Sequence, residues 1–351
     1  GAGAVSARRA YAVDAVSGRV LYEKNPTERS LIASTTKIMT ALIVCEQCNV
    51  LDRMRIPKEA VGIEGSSMYL KEGEVLTLQE LLYGLMLSSG NDAAVALAEK
   101  TAGVTELFVE RMNNRARELG MQDTHFVNCT GLPAEGHVTS AWDIAVMSRE
   151  LIVNHPDIRR FTTIWMDTLR DGQFQLSNTN KLIRFYQGAT GLKTGSTDSA
   201  RYCISATAER EGMELIAVVL KSPSGQQRFE DAKALLNCGF STYGLVHASP
   251  EEPLPPVPVQ LGAQGTVQPR VDPAEGLLLA EKSRLQGLEQ TVTLPESAEA
   301  PVRQGDVLGT LTVTQNGETV LEVPIRAAET VEKLTFGQML LRLARTMCFC
   351  G

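Results

Sequence analysis

Five prolines stand within nine residues, at Pro250, Pro253, Pro255, Pro256 and Pro258. Proline fixes φ and lacks a backbone N–H, so a cluster this dense reads as a stiff linker or the entry to a new domain. At 351 residues it has room for about two average domains. With 43% hydrophobic and 21% charged residues, it can bury a sizeable core. We read residues 1–243 as the main domain, 244–328 as a small β-rich domain, and 329–351 as an amphipathic segment.

Ahead of the prolines, strand patterns stand at both ends of a helical stretch. Residues 11–16 and 19–22 flank a Ser17-Gly18 turn, and 165–169 and 173–176 flank Asp171-Gly172. Residues 202–208 and 213–221 flank Glu211-Gly212. Helices are predicted over 34–48, where Ile38, Ala41, Leu42 and Cys45 share a face, and over 78–87, opened by a Thr77-x-x-Glu80 capping box. Others follow at 92–100, 105–119, 140–154 and 227–237, the last expected to stop at Gly239. Terminal hairpins around helices imply an α+β domain with one antiparallel sheet. The region up to residue 326 is rich in Val, Thr and Gly, with an Asn316-Gly317 turn, and reads as all-β.

Three short patterns carry chemistry. Ser34 and Lys37 lie three apart at a helix start, so the amine can reach the hydroxyl. Serine needs such a base to become a nucleophile, and lysine serves only where its pKa is pulled down. Ser89 and Asn91 fall in a break between helices; Ser89 suits a proton shuttle, and Asn91 can orient Lys37 or hold a substrate amide. Lys193-Thr194-Gly195 offers a cation and a hydroxyl for a carboxylate, and a glycine that lets an edge strand approach closely. The Ser196 N–H would then partner that of Ser34 in an oxyanion hole. Each pattern alone is common; their order is not.

The set Ser-x-x-Lys, Ser-x-Asn, Lys-Thr-Gly resembles that of penicillin-binding proteins and class A β-lactamases. With Ser89-Gly90-Asn91 in the middle, the chain is similar to the low-molecular-mass D-alanyl-D-alanine carboxypeptidases of the peptidase S11 family. The stretch from Ala33 to Leu42, Phe126-x-Asn128-x-x-Gly131-Leu132, Thr139-Ser140-Ala141, Gly191 to Gly195 and Leu235-Leu236-x-x-Gly239-Phe240 extend the likeness over residues 8–243. The resemblance implies a penicillin-binding/β-lactamase-like catalytic domain, antiparallel sheet with helical cluster, then a small all-β domain and a C-terminal amphipathic helix. It implies removal of the terminal D-alanine from peptidoglycan stem peptides ending in D-Ala-D-Ala through an acyl-enzyme on Ser34, with β-lactams as covalent inhibitors and no metal or organic cofactor. By resemblance only, Arg228 helps bind the substrate carboxylate; its other reading is a solvated charge at a helix start. Ser196 is a departure, since many relatives carry histidine or tyrosine there.

The family also implies a secreted protein on the cell-wall side of the plasma membrane. The chain contains no recognisable signal peptide; residues 1–4 fit what cleavage leaves, or residues appended to the natural chain. No apolar run reaches the ~20 residues that span a bilayer. The segment 334–350 is largely apolar, its only charges Arg342 and Arg345 on one helical face, and reads as a membrane-surface anchor or a helix packed on its own domain. A net charge of −7 argues against nucleic acid. Seven cysteines leave at least one unpaired, and Cys45 and Cys48 resemble half a zinc site that no second pair completes. Two rival hydrolases are testable by geometry. Glu150-x-x-x-Asn154 echoes the deacylating glutamate of a β-lactamase, and His137 is the one base that a Ser-His-Asp enzyme could use here.

Overall fold

The computed structural model describes residues 5–348; residues 1–4 and the tip of the 334–350 segment lie outside the described residues. The chain divides into two compact units, Gly1–Ser241 and Thr242–Gly351.

The first unit begins β1 (Arg9–Asp14), β2 (Val20–Lys24), a 3-10 turn (Ala33–Thr36), α1 (Lys37–Gln47), β3 (Arg53–Arg55), β4 (Val75–Thr77), α2 (Leu78–Leu87) and α3 (Asn91–Ala102). It continues α4 (Thr105–Glu118), α5 (Ala141–Asn154), α6 (Arg159–Thr162), β5 (Met166–Leu169), β6 (Phe174–Ser177) and α7 (Leu182–Phe185). It closes with β7 (Ala189–Thr197), β8 (Arg201–Arg210), β9 (Met213–Ser222) and α8 (Gly225–Thr242). The sheet runs β2-β1-β9-β8-β7, antiparallel throughout, with Tyr11 opposite Val218 where the first strand meets the last. This is the α+β arrangement expected from hairpins at the two ends. The β5–β6 hairpin does not join that sheet; it pairs only with itself.

One helix organises the core. Lys37 through Val44 of α1 are all buried, so the first two turns of the helix are enclosed on every side, as their apolar run demands. The Thr77–Glu80 capping box forms as predicted and starts α2 at Leu78. Ser140 caps α5 by accepting from the Asp143 N–H. Arg149 ties α5 to the first hairpin, its Nε 2.6 Å from the Ala15 carbonyl oxygen. The six described cysteines are free thiols; burial pushes Cys45 up to about 12, and Cys48 Sγ meets Thr101 Oγ1 at 3.3 Å.

One sequence expectation fails instructively. Helix α8 does not stop at Gly239 but runs on to Thr242. A Cβ at Gly239 would lie 2.4 Å from Leu215 Cδ1 and 3.3 Å from Leu21 Cδ1. The glycine is there so that the helix can approach the sheet, not to end the helix.

The second unit is built of short strands: β10 (Tyr243–His247), β11 (Val257–Gln260), β12 (Thr266–Val267), β13 (Pro269–Val271), β14 (Leu277–Glu281), β15 (Leu288–Thr293), β16 (Ala298–Glu299), β17 (Val307–Gln315) and β18 (Glu318–Ala327). Its main sheet runs β13-β18-β17-β15, with β17 and β18 joined at Asn316-Gly317, both at positive φ. The final helix α9 (Phe336–Cys348) has no buried residue. Phe336, Leu340, Leu343 and Met347 are exposed, while Arg342 Nη2 donates to the Ala263 carbonyl at 3.0 Å.

Replacing Gly239 with alanine should destabilise the protein by about 1–3 kcal/mol, the cost of overpacking a close helix–sheet contact. Urea denaturation measures it; an unchanged midpoint would show that Leu215 swings aside freely.

Candidate active site

The 3-10 turn presents Ser34, half-buried, one turn before Lys37. Ala33 just ahead of it sits at φ +51, a conformation that costs a residue with a side chain. Two glycines hold that backbone in place. A Cβ at Gly131, φ +88, would fall 2.0 Å from the Ala33 carbonyl oxygen. One at Gly195 would fall 2.7 Å from the Ser34 nitrogen. The strand β7 therefore passes directly against the serine's amide.

Lys37 is wholly buried, and its Nζ meets four oxygens: Ser34 Oγ at 2.8 Å, Ser89 Oγ at 3.2 Å, Asn91 Oδ1 at 2.7 Å and the Thr130 carbonyl at 2.8 Å. Two of these can only accept, so they take the two N–H bonds of a neutral amine and leave its lone pair for a hydroxyl. Burial lowers the lysine from its ordinary range to about 7, with the Asp92 carboxylate pulling the other way. The amine is thus prepared to receive the Ser34 proton near neutral pH.

Ser89 lies between the two lysines. Its Oγ is 3.2 Å from Lys37 Nζ and 3.1 Å from Lys193 Nζ, and its φ of +59 places it in the break between α2 and α3. Asn91 has both amide ends engaged, Oδ1 on Lys37 and Nδ2 on the Glu64 carbonyl at 2.8 Å. Of the two roles open to it in the sequence, this geometry favours orienting the lysine.

The Lys-Thr-Gly residues lie within the edge strand β7. Lys193 is buried rather than displayed, donating to Ser89 and to the Thr194 carbonyl at 2.7 Å. Burial, with Lys37 and Arg228 nearby, holds it well below the usual lysine range. Thr194 Oγ1 is 2.6 Å from Thr179 Oγ1, and Ser196 is exposed. Arg228 is not a solvated charge: Nη1 reaches the Gly195 carbonyl at 3.3 Å, and the guanidinium lies over Tyr202 and Phe229. Ser34, Lys37, Ser89, Asn91 and Lys193 share one hydrogen-bonded cluster, with Gly195 against Ser34 and Arg228 against Gly195.

The two rival constellations do not form. His137 Nδ1 accepts the Val127 N–H at 2.9 Å, so the proton sits on Nε2, 2.7 Å from Thr36 Oγ1. Burial lowers this imidazole to about 4, and both nitrogens are occupied. Glu150 on α5 pairs with Arg115 on α4 at 2.9 Å.

Thr130 escaped the sequence reading, and Asn128 stood there only as part of the family likeness. Thr130 acts through its carbonyl, which no side-chain pattern reveals. Asn128 Oδ1 shapes that turn by accepting from the Thr130 and Gly131 N–H groups at 3.3 and 2.8 Å. Asn128-x-x-Gly131 is a turn signature, and that was the available clue.

The D-alanyl-D-alanine carboxypeptidase family profile matches residues 1–224, and the profile of the penicillin-binding protein 5 C-terminal domain matches 257–333. The chain belongs to the D-alanyl-D-alanine carboxypeptidase family. This carboxypeptidase is 36% identical to D-alanyl-D-alanine carboxypeptidase DacF of Bacillus subtilis, over 96% of this chain and 88% of that protein. Among solved structures it resembles a peptidoglycan synthesis regulatory factor (PBP3) of Streptococcus pneumoniae, with TM-score 0.78, 28% identity and coverage of 94% and 100%. The Streptomyces K15 DD-transpeptidase matches with TM-score 0.64 and 33% identity, over 68% of this chain and 99% of its own. The carboxypeptidase is a serine-type enzyme of peptidoglycan metabolism.

Gly131→Ala should cut the rate of penicillin acylation by about tenfold or more, because its Cβ displaces the Ala33–Ser34 backbone. Stopped-flow acylation, normalised to folded protein by circular dichroism, gives the answer; a wild-type rate would mean that the backbone yields without cost.

Proposed function

We propose that the carboxypeptidase removes the terminal D-alanine of peptidoglycan pentapeptides with Ser34 as nucleophile and Lys37 as its base. The observation that carries this reading is the 2.8 Å approach of a buried amine, lowered to about 7, to the serine hydroxyl. A peptide ending in D-Ala-D-Ala lies antiparallel along β7, its carboxylate held by Thr194, Lys193 and Arg228. Lys37 takes the Ser34 proton as Oγ attacks the penultimate carbonyl, and the oxyanion rests on the N–H groups of Ser34 and Ser196. An interaction of this kind is worth about 3–4 kcal/mol per donor. Ser89 relays the proton to the departing D-alanine, with Lys193 tuning it from behind, and water then releases the acyl group. The position of Gly195 against the Ser34 nitrogen supports this use of the strand. β-Lactams acylate the same serine. No step needs a metal or cofactor.

The catalytic domain is assigned to 1–243, the β domain to 244–328 and the amphipathic segment to 329–351. We place the enzyme outside the cytoplasm, at the cell-wall side of the plasma membrane. The exposed row Phe336, Leu340, Leu343 and Met347 supports peripheral contact with the membrane surface. Among the described residues no helix is long and apolar enough to cross a membrane. A second reading, transfer of the acyl group to an amine, has one support: the likeness to the Streptomyces K15 DD-transpeptidase.

Incubation with a muramyl pentapeptide should remove one alanine by mass, and Ser34→Ala should abolish both this and the penicillin adduct. Unchanged release by that variant would sink the assignment. Adding glycine or a D-amino acid as acceptor tests transfer.

The pH dependence has a definite sign. Below about 7 Lys37 is protonated and cannot accept, so acylation should rise about tenfold per pH unit up to that point and level off above it. A midpoint near 10 would mean that the lysine is not the base.

Removal of residues 334–351 should leave pentapeptide hydrolysis intact and abolish co-sedimentation with lipid vesicles. Retained sedimentation would place the contact elsewhere.

A further inference from the structure

Beside the catalytic residues stands a buried carboxylate that the scheme above does not use. Asp92, 1% exposed, follows Asn91 at the start of α3. It accepts from Ser67 Oγ at 2.8 Å, Met68 N–H at 3.1 Å, Leu70 N–H at 3.0 Å and its neighbour Ala93 N–H at 2.9 Å. A carboxylate has about four acceptor positions, so this one is filled. Three of the donors belong to a single segment, 67–70, in which Tyr69 is held at φ +56 and is 72% exposed. Such a backbone persists only where its surroundings enforce it.

The same stretch of chain reaches the base. The Glu64 carbonyl takes the Asn91 Nδ2 at 2.8 Å, and the Ser66 carbonyl takes the Asn91 N–H at 2.8 Å. With Nδ2 so held, Oδ1 must face the other way, toward Lys37 Nζ at 2.7 Å. From the outer side Arg170, in the β5–β6 turn, grips the segment through the Met68 carbonyl at 2.8 Å and Glu74 at 2.6 Å.

We propose that Asp92 is a positioning residue for the acylation step: by clamping the 64–70 segment against Asn91 it fixes which end of that amide meets Lys37. This rests on Lys37 being the base for Ser34. A wrongly turned amide would present N–H to N–H and rotate the lysine's lone pair away from the serine. The charge of Asp92 adds a second effect. The groups facing Lys37 from the packed elements are Cys129, Asp92 and Lys193. Burial pushes the Cys129 thiol up to about 12, so it stays neutral. Asp92 is the negative neighbour that favours the protonated lysine, and its loss moves the midpoint down.

The test uses two variants of the full chain, Asp92→Asn and Ser67→Ala, with fluorescent penicillin acylation followed from about pH 5 to 9 and normalised by active-site titration. Asp92→Asn should lower the normalised plateau about tenfold or more, and shift the midpoint down by about half a unit or more. Ser67→Ala keeps the charge, so it should lower the plateau without moving the midpoint. Trypsin should also cut after Lys71 faster in the Asp92 variant. An Asp92→Asn enzyme that loses titre alone, with plateau and midpoint unchanged, overturns the proposal. If that variant does not fold, Ser67→Ala decides: a reduced plateau supports the clamp, a wild-type plateau overturns it. Wild-type enzyme that shows no midpoint near 7 would instead remove the reading of Lys37 on which the clamp depends.

Discussion

An amine removed from water is the constraint around which the first unit is arranged. A lysine in solvent stays charged and is useless as a base near neutral pH; burial strips the charged form of its hydration and lowers Lys37 to about 7. That loss of hydration goes with the burial of Lys37 through Val44 and with the four oxygens that surround the amine. The break between α2 and α3 belongs to the same arrangement. A continuous helix could not turn Ser89 inward, and the positive φ at that serine is what aims the hydroxyl between two lysines.

Lys193 shows how the same logic alters an expected role. In the sequence it reads as a displayed cation waiting for a carboxylate. In the fold it is buried, with its Nζ turned to Ser89 and a backbone carbonyl. Two amines sharing one hydroxyl repel when both are charged, so each makes the other easier to neutralise. A substrate carboxylate arriving beside them would favour the charged form of one or both. On the proposed mechanism, binding and proton position would be coupled through Ser89.

Much of this was legible before any coordinates. The capping box placed the start of α2 at Leu78, and the hairpin turns at Ser17-Gly18 and Glu211-Gly212 anticipated a sheet joining both ends of the domain. These signals are local, written in residues whose conformational preferences survive in any context. What stayed hidden depends on contacts far along the chain. Gly239 resembles a helix terminator until Leu215 is seen pressed against it. Thr130 contributes a carbonyl, which every residue has. Ala33 is strained because Gly131 and Gly195 leave its backbone no alternative, and nothing about alanine announces that. Asp92 reads as a routine first-turn acid, since the segment it holds lies more than twenty residues away.

The edge strand β7 is open for only part of its length. Toward its start, Thr162 and Asn180 donate side-chain hydrogen bonds to the Thr190 and Gly191 carbonyls at 2.7 and 2.8 Å, and α6 and α7 pack against it. A peptide laid antiparallel on the strand runs its carboxyl end in that direction and meets occupied ground just past Lys193. A chain that continues has nowhere to go, whereas one that stops fits. On the proposed pose, the closed half of the strand would act as a ruler that sets where a paired peptide has to end.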